Sequence, residues 1–484
     1  MALPNNTLKK RVVSGFMWRF AERSGANIAR FVVSIILARL IAPEIFGILA
    51  IVTVFMNFAD LLVESGFGKS LIQKENADEV DFSTIFYFTT ATSILLYVLL
   101  FFAAPTIANF FEYPQMTLIL RWLNLRLLIT GINIAQTAYA TRHMQFKLFF
   151  WSTSGAVVLS AAVSIVMAYN GFGVWALVAN HLVSSITGTT ILLFILNWKP
   201  KLTFSWQRLK PLYSYGWKIL ISSVLYRIYK EMRTLLIGRL YSTGDLAFYS
   251  KGKSFPALIS NNSTSIINKV IFPAISQKQR SADDVKSIMR QSISATSYFV
   301  WPVMIGLAII AEPLVLFLLT DKWIEAVPFL QIACFYHAFQ PIRSINAQAI
   351  NAIGRSDITL KLKIIKTIIG IAILLLAMNY GILAIALSTV ITAFIFSLVN
   401  SLPNIKLINY RPKEQMADIL PYIAMSAVMS AAIYPIKFLN MSDVLTILVQ
   451  VVVGLSVYLL LSIILKQKSF YFIIDTIKQH FKKN

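Results

Sequence analysis

Apolar runs of about 20 residues recur from one end of the chain to the other, separated by short polar breaks. That is the length a helix needs to cross the hydrocarbon core of a bilayer. The pattern predicts fourteen helices, near 14–41, 45–68, 83–111, 117–140, 148–170, 173–197, 213–241, 245–272, 291–318, 326–351, 357–379, 382–402, 417–437 and 443–465. Turn chemistry marks the breaks: Ala42-Pro43-Glu44, Tyr113-Pro114, Asn170-Gly171-Phe172-Gly173, Ser242-Thr243-Gly244-Asp245 and Asn379-Tyr380-Gly381. The fold class that follows is an all-α polytopic membrane protein.

The second half of the pattern echoes the first at an offset near 200. ILARLIAPEIFGILA (36–50) pairs with LIGRLYSTGDLAFYS (236–250), AQTAYATRHMQFK (135–147) with AQAINAIGRSDITLK (347–361), and NGFGVWALV (170–178) with NYGILAIAL (379–387). Six helices then repeat as six, with two appended. The expected organisation is an N-terminal six-helix lobe (1–200), a C-terminal six-helix lobe (201–410), two additional spans (411–466) and a cytoplasmic interfacial tail (467–484). Parallel repeats of this kind are related by a pseudo-two-fold along the membrane normal, with the substrate site at their interface. In the tail, Phe470, Ile473, Ile474, Ile477 and Phe481 fall at helical spacing, the pattern of a surface-lying amphipathic helix.

Charge orients this scheme. Twenty-seven Lys and Arg residues fall on one side of the alternating loops, counting Lys361, Lys363 and Lys366 among them, and only Lys322 and Lys437 on the other. The positive-inside rule then puts both termini in the cytoplasm. The net charge of +23 is thereby accounted for without nucleic acid, for which no aromatic-interleaved basic domain exists. The 57% hydrophobic content and mean hydropathy of +0.69 agree with a membrane domain. The single cysteine, Cys334, excludes a disulfide framework or a cysteine metal site. Lys9, Lys10 and Arg11 precede a span too long and too charged for a cleavable signal. Four scattered histidines give no metal spacing, and no phosphate-binding loop appears: Gly66-Phe67-Gly68-Lys69-Ser70 lacks the opening glycine and the strand. No catalytic residues, no metal and no cofactor are expected.

The chemistry lies in the charges inside the spans, which are costly in a bilayer and mark pathways or cavities. The first helix carries Arg19, Glu22, Arg23, Arg30 and Arg39. At about 100° per residue, Arg19, Arg23 and Arg30 fall within about 40° of one another, while Arg39 lies opposite. In the seventh span Arg227, Lys230 and Glu231 share a face, and Lys230 aligns with Arg30 in the repeat. Arg19, Arg23, Arg30, Arg227 and Lys230 are therefore the candidate site for a phosphate or pyrophosphate, Arg by bidentate bonding and Lys as a point charge. Snorkelling to the cytoplasmic surface is the plainer alternative for Arg19 and Arg23. Asn261, Asn262, His337 and Gln340 are candidates for sugar contacts, or for bridges between helices. Asp60, Glu64 and Glu231 are candidates for coupling to H+ or Na+, or for neutralising the arginines. Arg39 and Arg239 each precede a turn and an acid, Glu44 or Asp245, and read as structural.

The runs RFAERSGANIARFVVSIILARLIAPEIFG, VESGFGKSLIQKENADEVDFSTIFYF, YNGFGVWALV and PVMIGLAIIAEPLVLFLLTDKWIEAVPFLQI resemble the Wzx-type polysaccharide flippases of the MOP exporter superfamily. More distantly they resemble its lipid II flippases and multidrug extruders. The resemblance implies a MATE-like fold in a bacterial inner membrane and an alternating-access transporter. It implies that an undecaprenyl-pyrophosphate-linked oligosaccharide moves from the cytoplasmic to the periplasmic leaflet. Membrane lipids, a polysaccharide polymerase and a chain-length regulator are the implied partners. Two other readings stand beside it. An organic-cation exporter of the same fold would want an acidic lumen. A polysaccharide polymerase or ligase would need a large outward loop to house catalytic residues.

Overall fold

In lipid every backbone amide must be satisfied within its own segment or by a closed barrel. Accordingly, no strand occurs among the described residues. The computed structural model describes the backbone of residues 5–64, 66–279 and 281–471. It describes their side chains apart from 5–13, 16, 20, 214–219, 221, 222, 225, 226 and 262–270. Nine helices among the described residues are long and apolar enough to cross a membrane. The tail predicted to lie at the interface falls outside the described residues beyond 471.

Contacts divide the chain into two units, Met1–Ala247 and Phe248–Asn484. The first holds α1 (Asn5–Leu40), α2 (Pro43–Glu64), α3 (Phe67–Gln73), α4 (Glu79–Phe110), α5 (Met116–Arg142), α6 (Phe146–Tyr169), α7 (Val174–Ile195), α8 (Trp206–Leu240) and the start of α9 (Thr243–Lys278). Within it α4 packs on α5, α6 on α7 and on α1, and α2 on α5 and α8. Small residues set the closest approach: the Thr89 hydroxyl of α4 donates to the Gly131 carbonyl of α5 at 2.8 Å.

Most predicted breaks coincide with helix ends, for local reasons. Pro43 opens α2, where its missing N–H costs nothing. Gly171 and Gly173 adopt φ +78° and +51° between α6 and α7, a region closed to most side chains. The predicted span 45–68 stops early, at Glu64, because Gly66 turns left-handed (φ +77°) and starts the separate short helix α3.

The linker between α7 and α8 is strapped to α4. The Lys201 and Ser205 N–H groups donate to Ser83 Oγ (3.0 Å) and Thr84 Oγ1 (3.1 Å). Arg208 pairs with Asp78 at 2.8 Å, Lys201 pairs with Glu79, and Trp198 is buried against Phe82 and Tyr139. These ties hold α8, the expected first helix of the second lobe, in the first unit. The expected lobe boundary near residue 200 and the contact boundary after Ala247 thus lie on either side of α8.

The second unit continues with α10 (Ala282–Ile309), α11 (Ala311–Leu319), α12 (Ala326–Ala338), α13 (Gln340–Ala352), α14 (Ser356–Ala377), α15 (Ile382–Ile408), α16 (Pro412–Ile433) and α17 (Asp443–Ile464). Two predicted spans are broken rather than continuous. Pro313 interrupts 291–318 between α10 and α11, and Pro341 interrupts 326–351 between α12 and α13. A ring at either position would clash with the carbonyl four residues earlier. The appended helices α16 and α17 pack on α10 and α11. Tyr298 and Tyr458 join them, with Tyr458 donating to the Tyr298 carbonyl at 2.8 Å. Lys361, Lys363 and Lys366, counted above as loop residues, lie inside α14.

Candidate functional site

A cavity of about 950 Å³ opens within the first unit, walled by α1, α2, α3, α5, α6, α7 and α8. Helical periodicity explains the α1 wall. Arg19, Arg30, Val33 and Leu37 fall on one stripe, with Ser34 beside it. Arg19, Arg30, Lys69 and Arg126 line the cavity beside a single carboxylate, Glu64, so its walls are net cationic. The remaining lining mixes apolar side chains with small polar ones, including Asn133, Thr153, Asn180, His181 and Ser184. Hydroxyls and amides of this kind can hydrogen-bond a hydroxylated ligand without adding charge.

The cations divide by their partners. Arg19 pairs with Glu22 at 2.9 Å and lies over the Phe149 ring at 3.7 Å. Glu22 also accepts from Thr153 of α6 at 3.1 Å, which fixes α1 against α6. Arg126 pairs with Asp60 of α2 at 3.1 Å, and Asp60 accepts from Thr130 at 3.0 Å. Among the described residues, Arg30 and Lys69 have no ion-pair partner. They are the two cavity cations free to meet an incoming anion.

Other candidates fall elsewhere. Arg23 is exposed and outside the cavity lining, although its helical angle is close to that of Arg30. Arg227 is held by Glu231 at 3.3 Å, and Lys230 is exposed; neither belongs to the lining, to which α8 contributes Leu220 and Ser223. Glu231 is therefore engaged with its own helix. Glu64 lines the cavity, whereas Asp60 sits behind it in the Arg126 pair.

Asn261 is exposed on α9, and the Asn262 side chain is outside the described residues. His337 and Gln340 lie in the second unit. His337 is buried and its Nδ1 donates to Gln340 Oε1 at 3.0 Å across the α12–α13 break, which makes this pair a local bridge. Arg239 pairs with Glu112 at 2.9 Å rather than with Asp245, because Asp245 already closes its own turn on Ser242. No group of three or more His, Cys, Asp or Glu residues fit to hold a metal occurs among the described residues.

Lys69, Arg126, Asn180 and His181 are among the lining residues that escaped the candidate list. The adjacent Asn180-His181 pair in an apolar span was the available signal. Arg121 and Arg126 lie about 140° apart around their helix, and angle alone does not say which of them faces the cavity. Structure separates them, since Arg121 stacks over Phe101 at 4.2 Å and donates to its carbonyl at 3.3 Å.

Comparison with known proteins places this geometry. Residues 36–328 match the family model described as polysaccharide biosynthesis protein. The succinoglycan biosynthesis transport protein ExoT of Rhizobium meliloti (strain 1021) is 25% identical over 322 residues, 66% of this chain and 65% of that protein, slightly under two thirds of its length. The lipopolysaccharide biosynthesis protein WzxC of Escherichia coli (strain K12) is 21% identical over 363 residues, 75% of this chain and 74% of that one. Among solved structures, the lipid II flippase MurJ in an inward closed conformation superposes with a TM-score of 0.77 at 16% identity, over 94% of this chain and 98% of MurJ. An inward-facing multidrug resistance MATE family transporter of the MOP superfamily superposes at 0.61 and 14% identity, over 79% and 95%. The all-α polytopic fold is thus the MurJ and MATE fold. By a family match that covers more than half its length, this multi-pass membrane chain belongs to the polysaccharide biosynthesis protein family.

Proposed function

We propose that this protein is a flippase that carries an undecaprenyl-pyrophosphate-linked oligosaccharide from the cytoplasmic to the periplasmic leaflet of a bacterial inner membrane by alternating access. The observation that carries the reading is the cationic cavity in which Arg30 and Lys69 have no ion-pair partner among the described residues. A pyrophosphate offers these cations charge-assisted bonds, and the hydroxyl and amide side chains among the lining suit sugar hydroxyls. An organic cation would be repelled by the same walls. The fold shared with a lipid II flippase and the printed name of ExoT as a transport protein support transport over a polymerase or ligase chemistry. The Lys and Arg distribution supports cytoplasmic termini. Glu64 is the acid best placed to couple transport to H+ or Na+, since it faces the cavity. A polymerase and a chain-length regulator are the protein partners such a carrier would serve.

The test is translocation of a fluorescent lipid-linked oligosaccharide in proteoliposomes. A charge-assisted hydrogen bond contributes about 1.5–3 kcal/mol. Arg30→Ala and Lys69→Ala should therefore each weaken substrate affinity by roughly 10- to 100-fold. Lys230→Ala, outside the lining, should fall close to wild type. Wild-type translocation in both Arg30→Ala and Lys69→Ala would sink the proposed site.

A further inference from the structure

Counted from matching helix ends, α13, α14 and α15 carry cationic or amide side chains at positions where α5, α6 and α7 carry uncharged residues. Arg343 stands nine residues before the end of α13, as Asn133 stands nine before the end of α5. Lys363 and Lys366 stand seven and ten residues into α14, as Thr153 and Ala156 do in α6. Asn400 stands eighteen residues into α15, as Leu192 does in α7. All four N-terminal counterparts line the cavity described above.

The side chains converge. Lys366 donates to Asn400 Oδ1 at 2.7 Å, and Asn400 Nδ2 donates to the Arg343 carbonyl at 3.1 Å, so one amide joins α13, α14 and α15. Arg343 lies over the Tyr336 ring at 4.6 Å and bonds its carbonyl at 3.4 Å. These partners are neutral. Among the described residues neither Arg343 nor Lys366 is ion-paired with a carboxylate. Lys366 is close enough to feel the charges of Arg343 and Lys363. At 1.5 Å per residue, Lys366 and Asn400 sit about 15 and 12 Å from the nearest ends of α14 and α15, and Arg343 about 13 Å from the C-terminal end of α13 and one turn from the α12–α13 break. Like charges gathered at that depth are unfavourable without a counter-anion.

The direction of approach is legible on α14. Leu360, Ile364, Ile365 and Ile368 are exposed and share one arc, which suits contact with lipid. Lys366 lies about 170° around the helix from the middle of that arc, and Lys363 about 130°. Both lysines therefore point away from the exposed arc, toward the inner side of the unit.

We propose that Arg343, Lys363, Lys366 and Asn400 form a second anion-binding subsite, contained within the C-terminal unit, for the phosphate or carboxylate oxygens of the carried headgroup. The assignment to cargo rests on the flippase reading; the anion site itself does not. An anionic bilayer lipid presents the same oxygens and is the competing source.

The test is equilibrium dialysis of radiolabelled inorganic pyrophosphate against the full chain in nanodiscs of neutral lipid. Wild type should bind two equivalents, and Lys366→Gln and Arg343→Gln one each. Arg30→Gln should also bind one, and Arg30→Gln combined with Lys366→Gln none. Lys366→Arg should keep both equivalents and guards against a folding artefact, as does Lys361→Gln on the exposed arc. One equivalent in wild type, or two in a folded Lys366→Gln protein, overturns the subsite. If discs containing phosphatidylglycerol lower the wild-type count to one and abolish the Lys366 dependence, the site belongs to a bilayer lipid and the cargo assignment falls. Two equivalents with no translocation of lipid-linked sugar would refute the flippase reading and leave the anion site standing.

Discussion

Removing the charge of Asp60 tests how the cavity tolerates its own cations. Asp60→Asn keeps an oxygen to accept from Thr130, so the loss is confined to the ion pair with Arg126. The magnitude follows from exposure. Exposed pairs contribute about 0.2–1 kcal/mol, whereas breaking a fully buried pair costs about 3–5 kcal/mol. The Asp60 and Arg126 side chains are 17% and 31% exposed, which places the single variant near 1.5–3 kcal/mol between those limits. For a unit of this size that is a fall in Tm of about 3–10 °C.

Arg126→Gln alone should cost a similar amount by leaving Asp60 without its cation. The double variant, with neither charge present, should recover at least about 1 kcal/mol relative to the sum of the two singles. The assay is thermal unfolding of the purified protein in detergent, read by intrinsic fluorescence across the four-member cycle. Effects that add to within about 0.3 kcal/mol would refute the argument, because the two charges would then be independent.

Three further outcomes follow from particular contacts. At Gly47 an added Cβ would overlap the Thr243 carbonyl oxygen and lie 2.6 Å from its carbon, so Gly47→Ala should destabilise by about 1–3 kcal/mol, and an unchanged Tm would contradict the close approach of α2 to the α8–α9 turn. Trp198→Ala should cost about 3–5 kcal/mol and raise proteolysis of the 196–205 linker, while Trp198→Phe should keep most of the packing; equal nicking of both variants and wild type would show the strap to be weak. At the exposed N-terminus of α14, hydrogen bonds from the capping Arg355 guanidinium hold the Asp357 carboxyl at about 2, with smaller help from the Ile358 N–H. Because its folded value is depressed, whatever stability it lends is complete above about pH 4 and is lost as pH falls through 2. Arg355→Gln should return the carboxyl toward about 3.9, as read by a carboxyl 13C NMR titration, and an unmoved midpoint would exclude the Arg355 contact as the cause.

How far the sequence could be read differs between fold and site. Hydrophobic periodicity places helices because lipid leaves the backbone no other partner, and Gly and Pro place their ends because their constraints are local. That is why the turns at Pro43, Gly171 and Gly381 are legible from residues alone. The same locality misled at Gly66, Pro313 and Pro341, where an apolar run continues past a helix break. The cationic face of α1 is legible from spacing, and Arg19 and Arg30 do line the cavity.

What pairs with what was not legible. Arg126 meets Asp60 across α5 and α2, Glu22 meets Thr153 across α1 and α6, and Arg239 meets Glu112, all between residues far apart in the chain. The sequence by itself determined the membrane class, the helices and the excess of positive charge. These depend on composition and on contacts within a few residues. Only the tertiary structure decided which cations are neutralised and which, like Arg30 and Lys69, face the cavity without a partner. Ion pairing needs atoms within a few ångströms, and which helices approach that closely is set by packing across the whole unit.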